Sequence, residues 1–123
     1  FQGRMKTISF ACASALLYRR NDPADTLEAA QLNIRPIDLV VCNLYAFEKA
    51  AQDNSDETTL VENIDIGGPL MVRAAAKNFQ HVTILSSVEQ YPGFLDEFAK
   101  GETTLAFRKR MALEAFERIA AYD

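Results

Sequence analysis

The chain has 123 residues, of which 49% are hydrophobic and 24% charged, the balance of a globular domain with one core. A net charge of −4 and a pI near 5.0 exclude a general attraction to nucleic acid or to an anionic membrane. One histidine cannot build a His-rich metal site, the two cysteines show no zinc spacing, and neither a signal peptide nor a bilayer-spanning apolar run is legible.

Charge is unevenly spread. Residues 1–20 hold four bases (Arg4, Lys6, Arg19, Arg20) and no acid, whereas residues 21–70 hold ten acids and two bases. The basic start suits a phosphate or, equally, a solvated basic edge. No methionine opens the chain, and residues ahead of Phe1 are expected. Cys12 and Cys42 both sit in apolar runs, where reduced, buried thiols are expected, as in the cytosol.

In chain order, Ile8 to Tyr18 is apolar with small residues, and its length does not decide between a strand and a short buried helix. Asp22 before Pro23 is a helix start, and Pro23 to Asn33 is predicted helical with Leu27, Ala30 and Gln31 or Leu32 inward; Arg35-Pro36 blocks its extension. Ile37 to Leu44 is the clearest strand. Its near-continuous apolar run predicts a central parallel strand covered on both faces, reached through the preceding helix. Ligands of open parallel sheets sit beyond the C-terminal strand ends. Here that end is Asn43-Leu44-Tyr45, where a packed loop aromatic is the competing reading of Tyr45.

Ala50 to Thr59 reads as a polar, acidic surface loop leading into a short helix from Asp56 to Asn63. The stretch Glu62 to Asn78 then packs an acid, Gly67-Gly68, Pro69, an alanine run and two bases into one segment. Pro69 suits the first helical position, and the glycines free the chain to turn. The amides from Gly68 onward are expected to point, unpaired, from a helix N-terminus that favours an anion or a carbonyl oxygen. An ordinary loop ahead of a helix is the competing reading. Ala74-Ala75-Ala76 lets another backbone approach closely.

Val82 to Leu85 is a second buried strand. Tyr91-Pro92-Gly93 is expected to break the chain before a short helix from Phe94 to Lys100. Thr103 or Thr104 caps the last helix, Leu105 to Tyr122, whose apolar stripe is Met111, Ala112, Ala115, Phe116 and Ile119. Glu114 and Arg118 pair outside, and Arg108-Lys109-Arg110 is a solvated face. The whole is an α/β domain in three layers, its mainly parallel sheet short of strands and so incomplete.

The segments IDLVVCNLYAFE, ENIDIGGPLMVRAAAKN, VTIL and ETTLAFRKRMALEAFERIAAYD closely resemble the IMP cyclohydrolase domain of the AICAR transformylase/IMP cyclohydrolase family. The resemblance runs from Gly3 to Asp123 and treats residues 1–123 as a single partial domain. It implies a methylglyoxal synthase-like fold, with helices on both faces of a parallel sheet. It implies ring closure of formyl-AICAR to IMP in the cytoplasm, by a homodimer, without metal or cofactor, nucleic acid or membrane. Carried over residue by residue, Lys6 faces the formyl oxygen, and Tyr45, Asp65 and Lys77 complete the catalytic set. Arg4, Thr7, Asn43, Ile66, Gly67 and Gly68 bind substrate, the two glycines through backbone donors.

The chain departs from the family in four places. Ile8 to Ala15 stands where the family has a run of the type Leu-His-Pro-Lys-x-His-Gly-Gly, and Ala46 replaces a proline. The N-terminal strand–helix unit with its Ser-Gly-Gly-Thr phosphate loop is absent from the sequence, as is the transformylase domain. These departures leave an alternative reading, a non-catalytic relative or fragment serving as a nucleotide-binding or assembly module. A methylglyoxal synthase-type enzyme is weaker still, since that too needs a phosphate loop.

Overall fold

A computed structural model describes residues 9–45, 47–53 and 56–123. Seven helices and two strands follow in the order α1 (Phe10–Leu17), α2 (Pro23–Gln31), β1 (Leu39–Val41), α3 (Phe47–Gln52), α4 (Glu57–Glu62), α5 (Gly67–Lys77), β2 (Thr83–Leu85), α6 (Tyr91–Phe98) and α7 (Leu105–Tyr122) among the described residues. A 3₁₀ turn, Val88–Gln90, leads into α6.

Within the ambiguous Ile8–Tyr18 stretch, Phe10–Leu17 is therefore helical and not a third strand, while Ile8 lies outside the described residues. Alanine and leucine carry it, and Ala15 and Leu16 are its buried residues. Asp22 caps α2 by accepting from the amides of Ala24 and Asp25. Asn33 closes the turn after it with φ 55°, a left-handed conformation that asparagine tolerates better than most residues. The expected inner face of α2 is wrong: only Ala29 is buried, while Leu27 and Leu32 are exposed. The helix packs through one small residue, so its leucines find nothing to cover them among the described residues.

The two strands are parallel, with Leu39 opposite Thr83, Val40 opposite Ile84 and Val41 opposite Leu85. The crossover between them runs through α3, α4 and α5, as parallel pairing requires. All three residues of β2 are buried. Successive strand residues face opposite sides, so β2 is covered on both. β1 is not. Val40 packs against the core, but Leu39 and Val41 are 38% and 51% exposed. The expectation of a doubly covered central strand is thus corrected, since among the described residues β1 pairs on one side only. Its apolar composition states a tendency to be buried, not the presence of a cover.

The core is built by α5 and α7 packed on each other and on β2, with α1 against α5. Ala75 and Ala76 of α5 and Ala115 of α7 have no exposed surface, the close approach that small side chains permit. Val72, Met111, Phe107 and Ile119 fill the remaining space. In the α7 stripe Phe116 is the exception; it stays partly exposed, with the Arg73 guanidinium 5.8 Å from its ring centroid.

Long-range polar ties fix the rest. Asn78 Nδ2 donates to Leu16 O at 2.7 Å and Tyr18 O at 3.1 Å, closing the open carbonyl end of α1. Arg108, expected on a solvated face, instead reaches inward and donates to the carbonyls of Phe79, Gln80 and Thr103. Its fork ties the α5–β2 turn to the entry of α7. Arg20 donates to the Ile37 carbonyl and the Asp38 carboxylate, tying the α1–α2 turn to the approach to β1.

Two boundary expectations also shift. The expected loop from Ala50 begins instead inside a helix, Phe47–Gln52. Tyr91-Pro92-Gly93 does not break the chain but forms the first turn of α6, where a proline needs no amide partner.

Candidate active-site cleft

The C-terminal ends of both strands open into one cleft of about 1060 Å³. Asn43, Leu44 and Tyr45 follow β1, and Ser86 and Ser87 follow β2. Phe47 and Lys49 of α3 form one wall; Glu114, Arg118 and Tyr122 of α7 form the other. Parallel strands end at this edge together, so their loops converge there. Asn43 Nδ2 is 3.3 Å from Tyr91 Oη, which orients the amide across the cleft edge.

Gln90 fixes the β2 loop. Its Oε1 accepts from the amides of Ser86 and Ser87, and its Nε2 donates to Glu114 Oε2. Glu114 thereby joins the cleft wall to the β2 loop instead of serving only as an exposed helix partner for Arg118. The Ser87 hydroxyl bonds the Glu89 carboxyl and holds it below the usual glutamate range. Asp53, Glu89, Glu114 and Glu117 face Lys49 and Arg118 in the lining, so the cleft carries a negative excess.

Asp65 lies beside this edge. Burial, and then the negative charge of Asp65, push the Cys42 thiol up, and Cys42 directly follows β1. The Asp65 carboxylate is turned back over α5: Oδ1 accepts the Gly68 amide at 2.9 Å. This corrects the expected open helix end, because the anion that the α5 N-terminus attracts is Asp65 itself. Gly68 has its amide committed and Pro69 has none, so neither is a backbone donor for a ligand. The helix also begins at Gly67, two residues before the proline expected to open it.

A residue without a legible signal completes the arrangement. Tyr122 Oη accepts the Asp65 amide at 2.8 Å and donates to Asn63 O at 3.2 Å. Its ring meets Phe47 edge-on, with centroids 6.3 Å apart. Tyrosine near the end of an amphipathic helix reads as ordinary, and only the fold brings it to Asp65. Ser86, Ser87 and Gln90 escaped for the same reason.

The structure brings Asn43 and Tyr45 into the cleft and Asp65 to its edge. Ile66, half exposed, and the buried Gly67 and Gly68 open α5 there. Lys77 is elsewhere: it ends α5, exposed, about 15 Å along the axis from Gly67 at 1.5 Å per residue. Arg4, Lys6 and Thr7 lie outside the described residues. Among the described residues, no group of three or more His, Cys, Asp or Glu is placed to hold a metal ion. No helix among them is long and apolar enough to cross a membrane.

The fold and this cleft define an α/β domain with parallel strands of the methylglyoxal synthase-like kind. In solved structures it is similar to the crystal structure of ForH, with a TM-score of 0.81 and 32% identity over 98% of this chain and 63% of that one. Residues 75–123 match the family model described as AICARFT/IMPCHase bienzyme. The chain is 48% identical over 124 residues to the bifunctional purine biosynthesis protein PurH of Gloeothece citriformis, covering 98% of this chain and 24% of that protein. It is 46% identical over 121 residues to the PurH of Sinorhizobium medicae, covering 98% and 23%. The chain is thus related to the AICARFT/IMPCHase bienzymes over nearly all of its length, and spans about a quarter of the length of the curated relatives it matches.

Proposed function

We propose that this chain carries the IMP cyclohydrolase step of a bifunctional purine enzyme, closing formyl-AICAR to IMP without a cofactor. The observation that carries the reading is the position of Asp65, fixed by Gly68 and Tyr122 beside the strand end that presents Asn43 and Tyr45. The relation to PurH over 98% of the chain supports it.

Both reacting groups belong to one molecule, so the protein's task is to fold the substrate and to handle protons and charge. Asp65 accepts a proton from the carboxamide as its nitrogen attacks the formyl carbon. The new carbon–nitrogen bond forms while the formyl carbonyl pair moves onto oxygen, and we assign the stabilisation of that oxygen to Lys6 from its match to the family motif. The formamido nitrogen gives up the second proton, a carbon–nitrogen double bond forms, and the former formyl oxygen leaves as water. The negative excess of the cleft favours the base end of a nucleotide there over its phosphate. Lys77 sits at the far end of α5, and we assign it a role at a distance.

On this reading the protein is a cytosolic homodimer, an assembly favoured by the exposed apolar residues of β1 and by its single pairing among the described residues. Light scattering that returns a monomer mass would remove that part.

The test is a spectrophotometric assay of formyl-AICAR closing to IMP, with Lys6→Ala and Asp65→Ala beside the parent. Each substitution is expected to slow closure by about a hundredfold or more, the scale of a lost acid–base or oxyanion group. Parent rates in both would overturn the assignment. A folded parent that binds IMP without turning over formyl-AICAR would favour the nucleotide-binding module instead.

A further inference from the structure

We propose that Tyr122 is a positioning residue for Asp65: its hydroxyl sets the backbone from which the carboxylate reaches the substrate. This rests on the reading of Asp65 as the residue that takes the carboxamide proton.

The geometry is specific. One oxygen atom joins two points of the α4–α5 connection, accepting from the Asp65 amide at 2.8 Å and donating to the Asn63 carbonyl at 3.2 Å. Both bonds are to backbone, so they fix where the Cα of Asp65 lies, whatever its side chain does. The Gly68 amide fixes the other end of the residue, through Oδ1 at 2.9 Å. Asp65 is thus held at its backbone by α7 and at its carboxylate by α5.

Tyr122 is itself well anchored. It follows Ile119 and Ala115 on α7, both of which are buried in the core. Its ring packs edge-on against Phe47 at 6.3 Å and lines the cleft. A phenol has few rotatable bonds, so holding it costs little conformational entropy. The bond spans 57 residues of sequence and couples the cleft wall to the acid: a shift of α7 at Glu114 or Arg118 moves the Asp65 backbone with it. A displacement of about 1 Å in a reacting group can lower a rate by about a hundredfold.

Tyr122→Phe keeps the ring and removes only the hydroxyl, so the packing that folds α7 is retained. Four forms are compared: the parent, Tyr122→Phe, Asp65→Asn and the double variant. In Tyr122→Phe, hydrogen exchange at the Asp65 amide should quicken, and kcat for ring closure should fall between about ten- and a hundredfold with KM nearly unchanged. The double variant should be no slower than Asp65→Asn alone, because the hydroxyl acts only through that residue.

If Asp65→Asn turns over at the parent rate, the assignment of Asp65 fails and takes this proposal with it. If Asp65→Asn is slow but Tyr122→Phe keeps the parent kcat, the assignment stands and the positioning role is overturned. Additive losses in the double variant, or unchanged exchange at the Asp65 amide, overturn it as well. The exchange measurement needs no turnover, so it decides the structural half in any folded form of the chain.

Discussion

Gly68 and Asp65 are fitted to each other: the Gly68 amide donates to Asp65 Oδ1 at 2.9 Å, and a Cβ on Gly68 would stand 2.5 Å from Asp65 Oδ2. The carboxylate lies where a side chain at position 68 would be. Glycine is needed here for space rather than for an unusual backbone angle.

The sign of Gly68→Ala follows. In an exposed helix interior, replacing glycine by alanine gains up to about 1 kcal/mol. Here the new methyl would also meet Asp65 Cγ at 2.9 Å, and the carboxylate must swing off the amide it caps. Losing such a cap costs about 1 kcal/mol. Urea unfolding should therefore show Gly68→Ala to be neutral or destabilised rather than stabilised, and ring closure should slow along with it. A gain of about 1 kcal/mol would mean that Asp65 does not occupy that space.

Cys42 reports on the same carboxylate. Its thiol is pushed up by burial first and by the charge of Asp65 second. Asp65→Asn removes the charge and leaves the burial, so the thiol should come part of the way down. At a fixed pH near 8, iodoacetamide should alkylate Cys42 faster in Asp65→Asn than in the parent, both carrying Cys12→Ser. An unchanged rate would separate Cys42 from Asp65 electrostatically.

Asn78 is expected to be intolerant of charge. Its buried amide donates to both Leu16 O and Tyr18 O. Asn78→Asp sets a carboxylate against two carbonyl oxygens. The variant loses two donors and buries an unpaired acceptor, a cost of about 2–4 kcal/mol. Chemical denaturation gives the value directly, and Asn78→Asp should recover part of the loss at low pH, where the acid is neutral. Stability equal to the parent at pH 7 would disprove the tie to α1.

The acid limb of stability should involve Asp25. Its side chain accepts from Arg19, with Oδ1 2.7 Å from Nη2 and Oδ2 2.9 Å from Nε. The Arg19 side-chain bond, followed by the Arg19 amide, lowers its pKa from 3.8 to about 2. A lowered folded-state pKa means that the unfolded chain binds the proton more tightly. The contribution is therefore complete above pH 3.8 and is lost as the pH falls through about 2. Asp25→Asn should flatten the stability curve across that window and leave its shape near neutrality unchanged. The pair is solvent-exposed, so added salt should weaken the difference. Parallel curves for parent and variant between pH 4 and 2 would exclude the pair.

Much of the local structure was legible because it depends on neighbours in sequence. Asp22-Pro23 opens α2, Thr104 caps α7 by accepting from Phe107 N, and Val82–Leu85 gives the buried strand. The alanine run of α5 announced a close helix contact, and α7 supplies it. Motif order and spacing carried the family, since the segments around Asn43-Leu44-Tyr45 and Asp65 to Asn78 are matched as whole blocks. Asn43 and Tyr45 followed from the rule that parallel strands present their ligands at their C-terminal ends.

What the sequence by itself determined, then, is the content of most elements, though not of α1 or α3, the parallel pairing and the relation to the bienzymes, because these rest on short-range propensity and on ordered motifs. Only the tertiary structure decided which faces are covered and which polar groups meet. Leu39 and Val41 are as apolar as any core residue, yet burial depends on a neighbouring element, which their composition cannot supply. Arg108 looks solvated until three carbonyls from two separate turns converge on it. Tyr122 reaches Asp65 and Lys77 does not, because a straight helix carries Lys77 away from the cleft while the packing of α7 on α5 brings a distant hydroxyl back to it.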